Sequence, residues 1–239
     1  MSKEKNISND MYLPDPESCL KKLKRTFPHL TDTELKTLLT PDSIRSYKKG
    51  TLLHEEGNCI KGCYFIYCGI VKIYQTGQEG KEQIILFDQE GDIFGFRSVI
   101  RHESACTSAK TLSDCILCYI PDKILLDLLE NNSGFAYDMG QIACKELGSA
   151  NRYIRDIAQK SVKARLAEIL LLISNEFGIE TDGTLKLNIT REELSNFVGT
   201  ATETVIRLLS DYKTEGLVEV QGRKIKLLNI EKIKTIAGL

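Results

Sequence analysis

The spacing of hydrophobic residues changes character twice along the chain. From Cys19 to Leu39, apolar residues at Leu20, Leu23, Phe27, Leu35, Leu38 and Leu39 recur at helical intervals broken by Pro28, which predicts two short helices. From Ile44 to Ile120 the pattern shortens into alternating or β-branched runs: Thr51-Leu52-Leu53, Cys63 to Tyr67, Ile70 to Tyr74, Gln83 to Phe87 and Cys115 to Ile120. Glycines at Gly57, Gly69, Gly77, Gly80 and Gly91 separate them, so this part reads as a small β-barrel or jelly roll.

Helical periodicity then returns. A helix is expected from about Asp122 to Leu129, followed by the longest helical stretch, from about Phe135 to Ile157. Its apolar residues, Phe135, Met139, Ile142, Ala143, Leu147, Ala150, Ile154 and Ile157, step by threes and fours into one stripe. Its length favours a paired dimerisation helix; a single helix packed on its own barrel gives the same stripe. Another helix, Ser161 to Phe177, closes at Gly178.

The fold class is therefore α+β. It divides into a flexible N-terminal arm (1–18), a β-barrel sensor domain with flanking helices (19–132), a dimerisation helix (133–159) and a C-terminal winged helix-turn-helix domain (160–239). The arm is inferred from charge, Asn, Ser and two prolines, Pro14 and Pro16, without periodicity.

Composition narrows the class. With 239 residues, 42% hydrophobic and 27% charged, the chain can bury two modest cores. No run approaches the roughly 18 apolar residues of a membrane span, and the N-terminus MSKEKNISND is polar, so a cytoplasmic protein with no membrane partner is expected. Eight cysteines without an export signal read as reduced thiols. The net charge of -1 does not announce nucleic acid, and from Lys160 onward 12 Lys/Arg meet 11 Asp/Glu. DNA binding must then rest on motif and on individual charges.

The motif lies between Ile189 and Leu228. Thr190-Arg191-Glu192-Glu193 fits a capping box, predicting a short helix to Val198. Gly199 supplies a tight turn, and a second helix from about Ala201 to Tyr212 buries Val205, Leu208 and Leu209. Two short helices about such a turn place the second in the major groove. Its outward positions are expected to be Thr202, Glu203, Ile206 and Arg207; Arg207 offers a fork to guanine and Glu203 accepts from cytosine. The alternatives are a Glu203–Arg207 surface ion pair, or Glu203 answering Thr200 as a helix cap. Beyond Gly216, two short strands flank Gln221-Gly222-Arg223 as a wing, where Arg223, Lys224 and Lys226 stand for phosphate contact or simply for solvated charge.

From Ile44 to Leu228 these residues resemble the CRP/FNR family. The run Ile189-Thr-Arg-Glu-Glu-Leu with Val198-Gly199, Glu203-Thr204-Val205 and Arg207-Leu208-Leu209 is similar to its helix-turn-helix signature. Gly50-Thr51-Leu52-Leu53 with Glu56-Gly57, Tyr64-Phe65-Ile66 with Gly69-Ile70-Val71-Lys72, and Gly91-Asp92-Ile93-Phe94-Gly95 resemble the turns of a cyclic-nucleotide-binding barrel.

The resemblance implies a homodimer on an inverted-repeat operator in double-stranded DNA, controlled by a small-molecule effector in the barrel, with RNA polymerase as a further partner. It makes Glu203 and Arg207 the base readers, and with Thr190, Arg191, Thr200, Thr202, Ile206, Arg223 and Lys224 they form the expected DNA contact. Effector contact falls to Gly95, Phe96, Arg97, Ser98, Ser104, Ala105, Ala150 and Asn151. Where cAMP-binding members carry a ribose-holding glutamate after the glycine, this chain has Phe96, and Glu103-Ser104 replaces their Arg-Ser. A phosphate would meet like charge there, so cAMP is not expected; Arg97 and Arg101 leave room for another anion.

Cysteine and histidine placement supports neither an iron-sulfur nor a haem cofactor. Only Cys19 precedes residue 58. Cys63 and Cys68, like Cys115 and Cys118, fall on opposite faces of their predicted strands. His29, His54 and His102 form no ligand motif, and no metal site is expected. The competing function is a ligand- or redox-sensing module acting through protein partners. An enzyme is not expected, because there is no phosphate loop, metal-binding histidine pair or serine elbow.

Overall fold

The computed structural model describes residues 13–39 and 43–239; most of the expected arm, residues 1–12, lies outside the described residues. The chain divides into two compact units, the first running to Gly80 and again over Ile85–Leu147, the second taking Lys81–Ile84 with Gly148–Leu239.

In the first unit, helices α1 (Pro16–Thr26) and α2 (Asp32–Leu38) begin at strong caps. Asp15 accepts from the Ser18 amide at 2.8 Å ahead of Pro16, and Thr31 forms a reciprocal capping box with Glu34. Helix thus begins inside the expected arm. Eight strands follow among the described residues: β1 (Ile44–Tyr47), β2 (Leu52–His54), β3 (Gly62–Cys68), β4 (Val71–Thr76), β5 (Glu82–Asp88, whose first three residues fall in the second unit), β6 (Ile93–Phe94), β7 (Ser108–Thr111) and β8 (Cys115–Pro121). They form two four-stranded sheets in the orders β1-β8-β3-β6 and β2-β7-β4-β5.

Side-chain alternation on β8 sorts residues into two cores. Ile116, Cys118 and Ile120 join the core that contains α1, α2 and Phe135, whereas Cys115 and Leu117 join Val71, Ile73 and Ala109. Phe27 anchors the first core, its ring centroid 5.1 Å from Phe135 and 6.4 Å from Phe65. Helix α3 (Phe96–Arg101) lies between β6 and β7, and α4 (Asp122–Asn131) leads into α5 (Ser133–Gln159), which passes from the first unit to the second at Gly148.

The single stripe expected on α5 resolves into two faces. Phe135 and Met139 are buried in the barrel core and Ile142 packs against it, while Leu147, Ile154 and Ile157 are exposed. At about 100° per residue, Leu147 and Ile154 lie about 100–120° around the helix from Phe135, off the face that Phe135, Met139 and Ile142 occupy.

The second unit contains α6 (Val162–Phe177), α7 (Arg191–Val198), α8 (Thr202–Thr214), the antiparallel hairpin β9 (Val218–Gln221) and β10 (Lys224–Leu227), and α9 (Ile230–Ala237). Ser161 caps α6 through the Ala164 amide, and α6 packs on α9. Tyr212 is fully buried and its hydroxyl donates to the Lys163 carbonyl at 2.6 Å, which anchors α8 on α6.

Candidate DNA-binding and effector sites

The helix-turn-helix is built from its caps inward. The Glu193 amide donates to Thr190 Oγ1 at 3.0 Å and the Thr190 amide to Glu193 Oε2 at 2.8 Å, closing the expected capping box. Gly199 ends α7 with φ +72°, a left-handed conformation that suits glycine, and its amide donates to the Ser195 carbonyl at 2.9 Å. Arg165 holds the turn from α6: its Nε donates to the Val198 carbonyl at 3.0 Å and its Nη1 to the Lys160 carbonyl at 2.9 Å. Sequence reasoning missed Arg165, since an arginine inside a helix carries no local signal of what it reaches.

On α8, Val205, Leu208, Leu209 and Tyr212 are buried and Glu203, Ile206 and Arg207 are exposed. Ile206 is 52% exposed. Among the described residues, Glu203 and Arg207 form neither an ion pair with each other nor a side-chain hydrogen bond. Nor does Glu203 act as a cap, because the N-cap is Ala201 and no side chain bonds there. Thr202 departs from the outward face. Its Oγ1 lies 2.9 Å from Ser195 Oγ, so it joins α8 to α7.

Arg191 is likewise turned inward. Its Nη2 donates to the Gly222 carbonyl at 2.8 Å, tying the start of α7 to the wing, and its buried Nη1 has no hydrogen-bond partner. Burial lowers the pKa of this guanidinium from its usual range. Gly222, with φ +57°, sits in the two-residue turn between Gln221 and Lys224. Arg223 and Lys224 are exposed and make no ion pair, whereas Lys226 lies 3.9 Å from Asp182. Thr200 is half-buried beside the turn, its amide donating to the Ser195 carbonyl.

The expected effector residues divide between the two units. Gly95, Phe96, Arg97 and Ser98 open α3, with Ala105 opposite them, all in the first unit; Ala150 and Asn151 lie on α5 in the second. Gly95 takes φ +86° ahead of the helix, which other residues adopt only with strain. Phe96 is 2% exposed and belongs to the hydrophobic core, so it presents no polar group to a ligand. Ser98 is buried, and its Oγ accepts from the Cys106 amide at 3.2 Å. Arg97 is exposed and its Nη2 lies 2.9 Å from the Cys106 sulfur. Arg101 pairs with Glu103 at 3.1 Å, Ser104 is exposed, and Ala105 is fixed by backbone bonds to Gly57 and Asn58. Cys106 is thus the centre of the cluster, a residue that the sequence analysis did not single out.

Nearby, Asp88 is buried, and burial together with Asp92 and Glu146 holds its carboxyl well above the usual range. Burial also raises Glu146, against the pull of Arg97. Burial lowers the pKa of His54, whose Nδ1 has no partner. All eight cysteines are free; Cys115 and Cys118 do face different cores. Among the described residues, no three His, Cys, Asp or Glu side chains are grouped to hold a metal ion, and no helix is long and apolar enough to cross a membrane.

Two parts of the chain match known families. Residues 44–132 match the cyclic nucleotide-binding domain family and residues 164–236 the Crp-like helix-turn-helix domain family. Electron transport regulator A of Shewanella oneidensis is 28% identical over 193 residues, covering 80% of this chain and 77% of that protein. The fumarate and nitrate reduction regulatory protein of Escherichia coli K12 is 28% identical over 195 residues, with the same coverage. Among solved structures, a CRP/FNR-family transcriptional regulator from Thermus thermophilus is 25% identical with a TM-score of 0.71, covering 82% of this chain and 98% of that one. FixK2 from Bradyrhizobium japonicum, 24% identical, has a TM-score of 0.72 over 81% of this chain and 96% of its own, a likeness of fold. The chain belongs to the CRP/FNR family of transcription regulators, with a cyclic-nucleotide-binding-like domain followed by a helix-turn-helix DNA-binding domain.

Proposed function

We propose that this regulator works in the cytoplasm as a homodimer on an inverted-repeat operator in double-stranded DNA, reading base edges through Glu203, Ile206 and Arg207. The observation that carries this reading is the outward face of α8. Two opposite charges stand one helical turn apart, exposed and without a partner among the described residues, beside an exposed isoleucine. Arg207 suits the guanine edge, Glu203 the cytosine amino group, and Ile206 a thymine methyl. Thr190, Thr200, Arg223 and Lys224 surround this face and meet phosphates, which position the helix and make binding salt-dependent. Arg191 and Thr202 support from behind, one through the wing turn and one through Ser195.

The sensor domain takes a small effector other than cAMP, with Arg97 as its anion-facing group. Phe96 occupies the core where the ribose-holding carboxylate of cAMP-type members would be, and Glu103 faces Arg101. RNA polymerase is the partner through which a bound dimer changes transcription. Two-fold symmetry sets half-site centres one helical turn apart, roughly 10 base pairs.

Selection of binding sites from random duplex DNA at two salt concentrations tests the reading. An enriched inverted repeat with that spacing supports it. Absence of any enriched sequence at either concentration contradicts it.

A further inference from the structure

The outward face of α5 carries a heptad that the apolar stripe read from sequence did not isolate. Tyr137, Gly140, Cys144, Leu147, Asn151, Ile154 and Ala158 alternate steps of three and four, and all seven are exposed. Leu147 is 61% and Ile154 66% exposed. A mean step of about 3.5 is the period at which two helices keep one seam in contact as they coil about each other, over about 32 Å here.

Gly140 indicates independently what covers this face. A glycine inside a helix is unfavourable by about 0.5–1 kcal/mol relative to alanine, and a Cβ built at Gly140 meets nothing within 4 Å in the chain. The chain's own packing therefore does not call for glycine there, and the bare backbone at Gly140 leaves room for close approach of a second copy. None of the seven positions carries a charge, nor do the flanking Ala143, Ala150 and Ile157. Two copies of this face meet without like-charge repulsion.

Tyr137, Cys144, Asn151 and Ala158 are spaced by sevens and occupy equivalent positions of successive turns of the coil. In a two-fold dimer that directs both helix-turn-helix domains to one duplex, the helices run parallel and each of these residues faces its own copy. Helix axes about 8–10 Å apart, with Cα atoms about 2.3 Å from each axis, put facing Cα atoms at about 3.4–5.4 Å. That overlaps the window of about 4.4–6.8 Å that a disulfide requires.

We propose that Cys144 is a redox cross-linking site, where a peroxide joins the two Cys144 thiols of a homodimer into one intersubunit disulfide. The proposal rests on the homodimer reading above. One hydrogen peroxide accepts the two electrons: one thiol becomes a sulfenic acid with release of water, and the second thiol displaces its hydroxyl as another water to form the S–S bond. The cross-link makes pairing of the long helices independent of protein concentration. Cys59 is the other exposed cysteine and serves as the control.

The test treats the full chain, and its Cys144→Ser and Cys59→Ser variants, with hydrogen peroxide. Products are read by non-reducing electrophoresis and peptide mapping, with native mass spectrometry of the reduced proteins alongside. The expected result is a reducible species of twice the 26.9 kDa chain mass in the wild type and Cys59→Ser, at least tenfold weaker in Cys144→Ser, with Cys144 joined to Cys144. A reduced protein that is dimeric but gives no such species overturns the cross-link and leaves the dimer. Persistence of the species in Cys144→Ser also overturns the cross-link. A monomer in native mass spectrometry overturns the homodimer reading and the cross-link with it.

Discussion

Helices α8 and α3 each present a short polar face, and the two faces are satisfied in opposite ways. On α8, Glu203 and Arg207 reach outward and bond to no other side chain among the described residues. On α3, Ser98 and Arg97 are engaged by Cys106, Arg101 is paired with Glu103, and Phe96 is part of the core. Charged side chains left unpaired on a rigid helix keep their hydrogen-bonding capacity for a partner, whereas groups already bonded within the chain must exchange those bonds to take one. The difference explains why the proposed DNA-binding face stands out more clearly in the structure than the proposed effector face.

The largest expected effect comes from breaking the closed side. Phe96→Ala should destabilise the fold by about 3–5 kcal/mol, because it empties a fully packed aromatic position. Urea unfolding measures this, and a loss below about 1 kcal/mol would show that Phe96 is not the core residue described. The second effect sharpens the comparison by pH. Asp88 is a carboxyl raised above its ordinary 3.8, so its favourable contribution is complete below that value and is lost as pH rises through its folded value. Asp88→Asn should therefore raise the melting temperature more at pH 8 than at pH 5; an equal or smaller gain at pH 8 would contradict the burial argument. The smallest effect concerns the wing. Arg223→Ala should leave sequence preference unchanged and lower the salt slope of DNA binding by about 1, as expected for one lost phosphate contact.

Where the chain signals its own turns, the structure was legible in advance. The Thr190 capping box, the Gly199 turn and the Gly222 hairpin marked α7, α8 and the wing because each depends on residues close in sequence. Helix α3 was not anticipated: it has six residues, starts from a glycine with no side-chain cap, and is fixed by bonds from Cys106. Strands β6 and β7 were equally silent, one being two residues long and the other, Ser-Ala-Lys-Thr, carrying a single apolar position. On α8 the pattern separated buried from exposed positions but misplaced Thr202, since the Ser195 contact that turns it inward joins two helices.

The most direct test compares wild type and Arg207→Ala on a selected operator and on random duplex of equal length, at one salt concentration. The variant should lose roughly 1–3 kcal/mol of discrimination, about 5- to 150-fold in the ratio of specific to non-specific affinity, with unfolding stability changed by no more than about 0.5 kcal/mol. An unchanged ratio in a folded variant would contradict the claim that the outward face of α8 reads the operator.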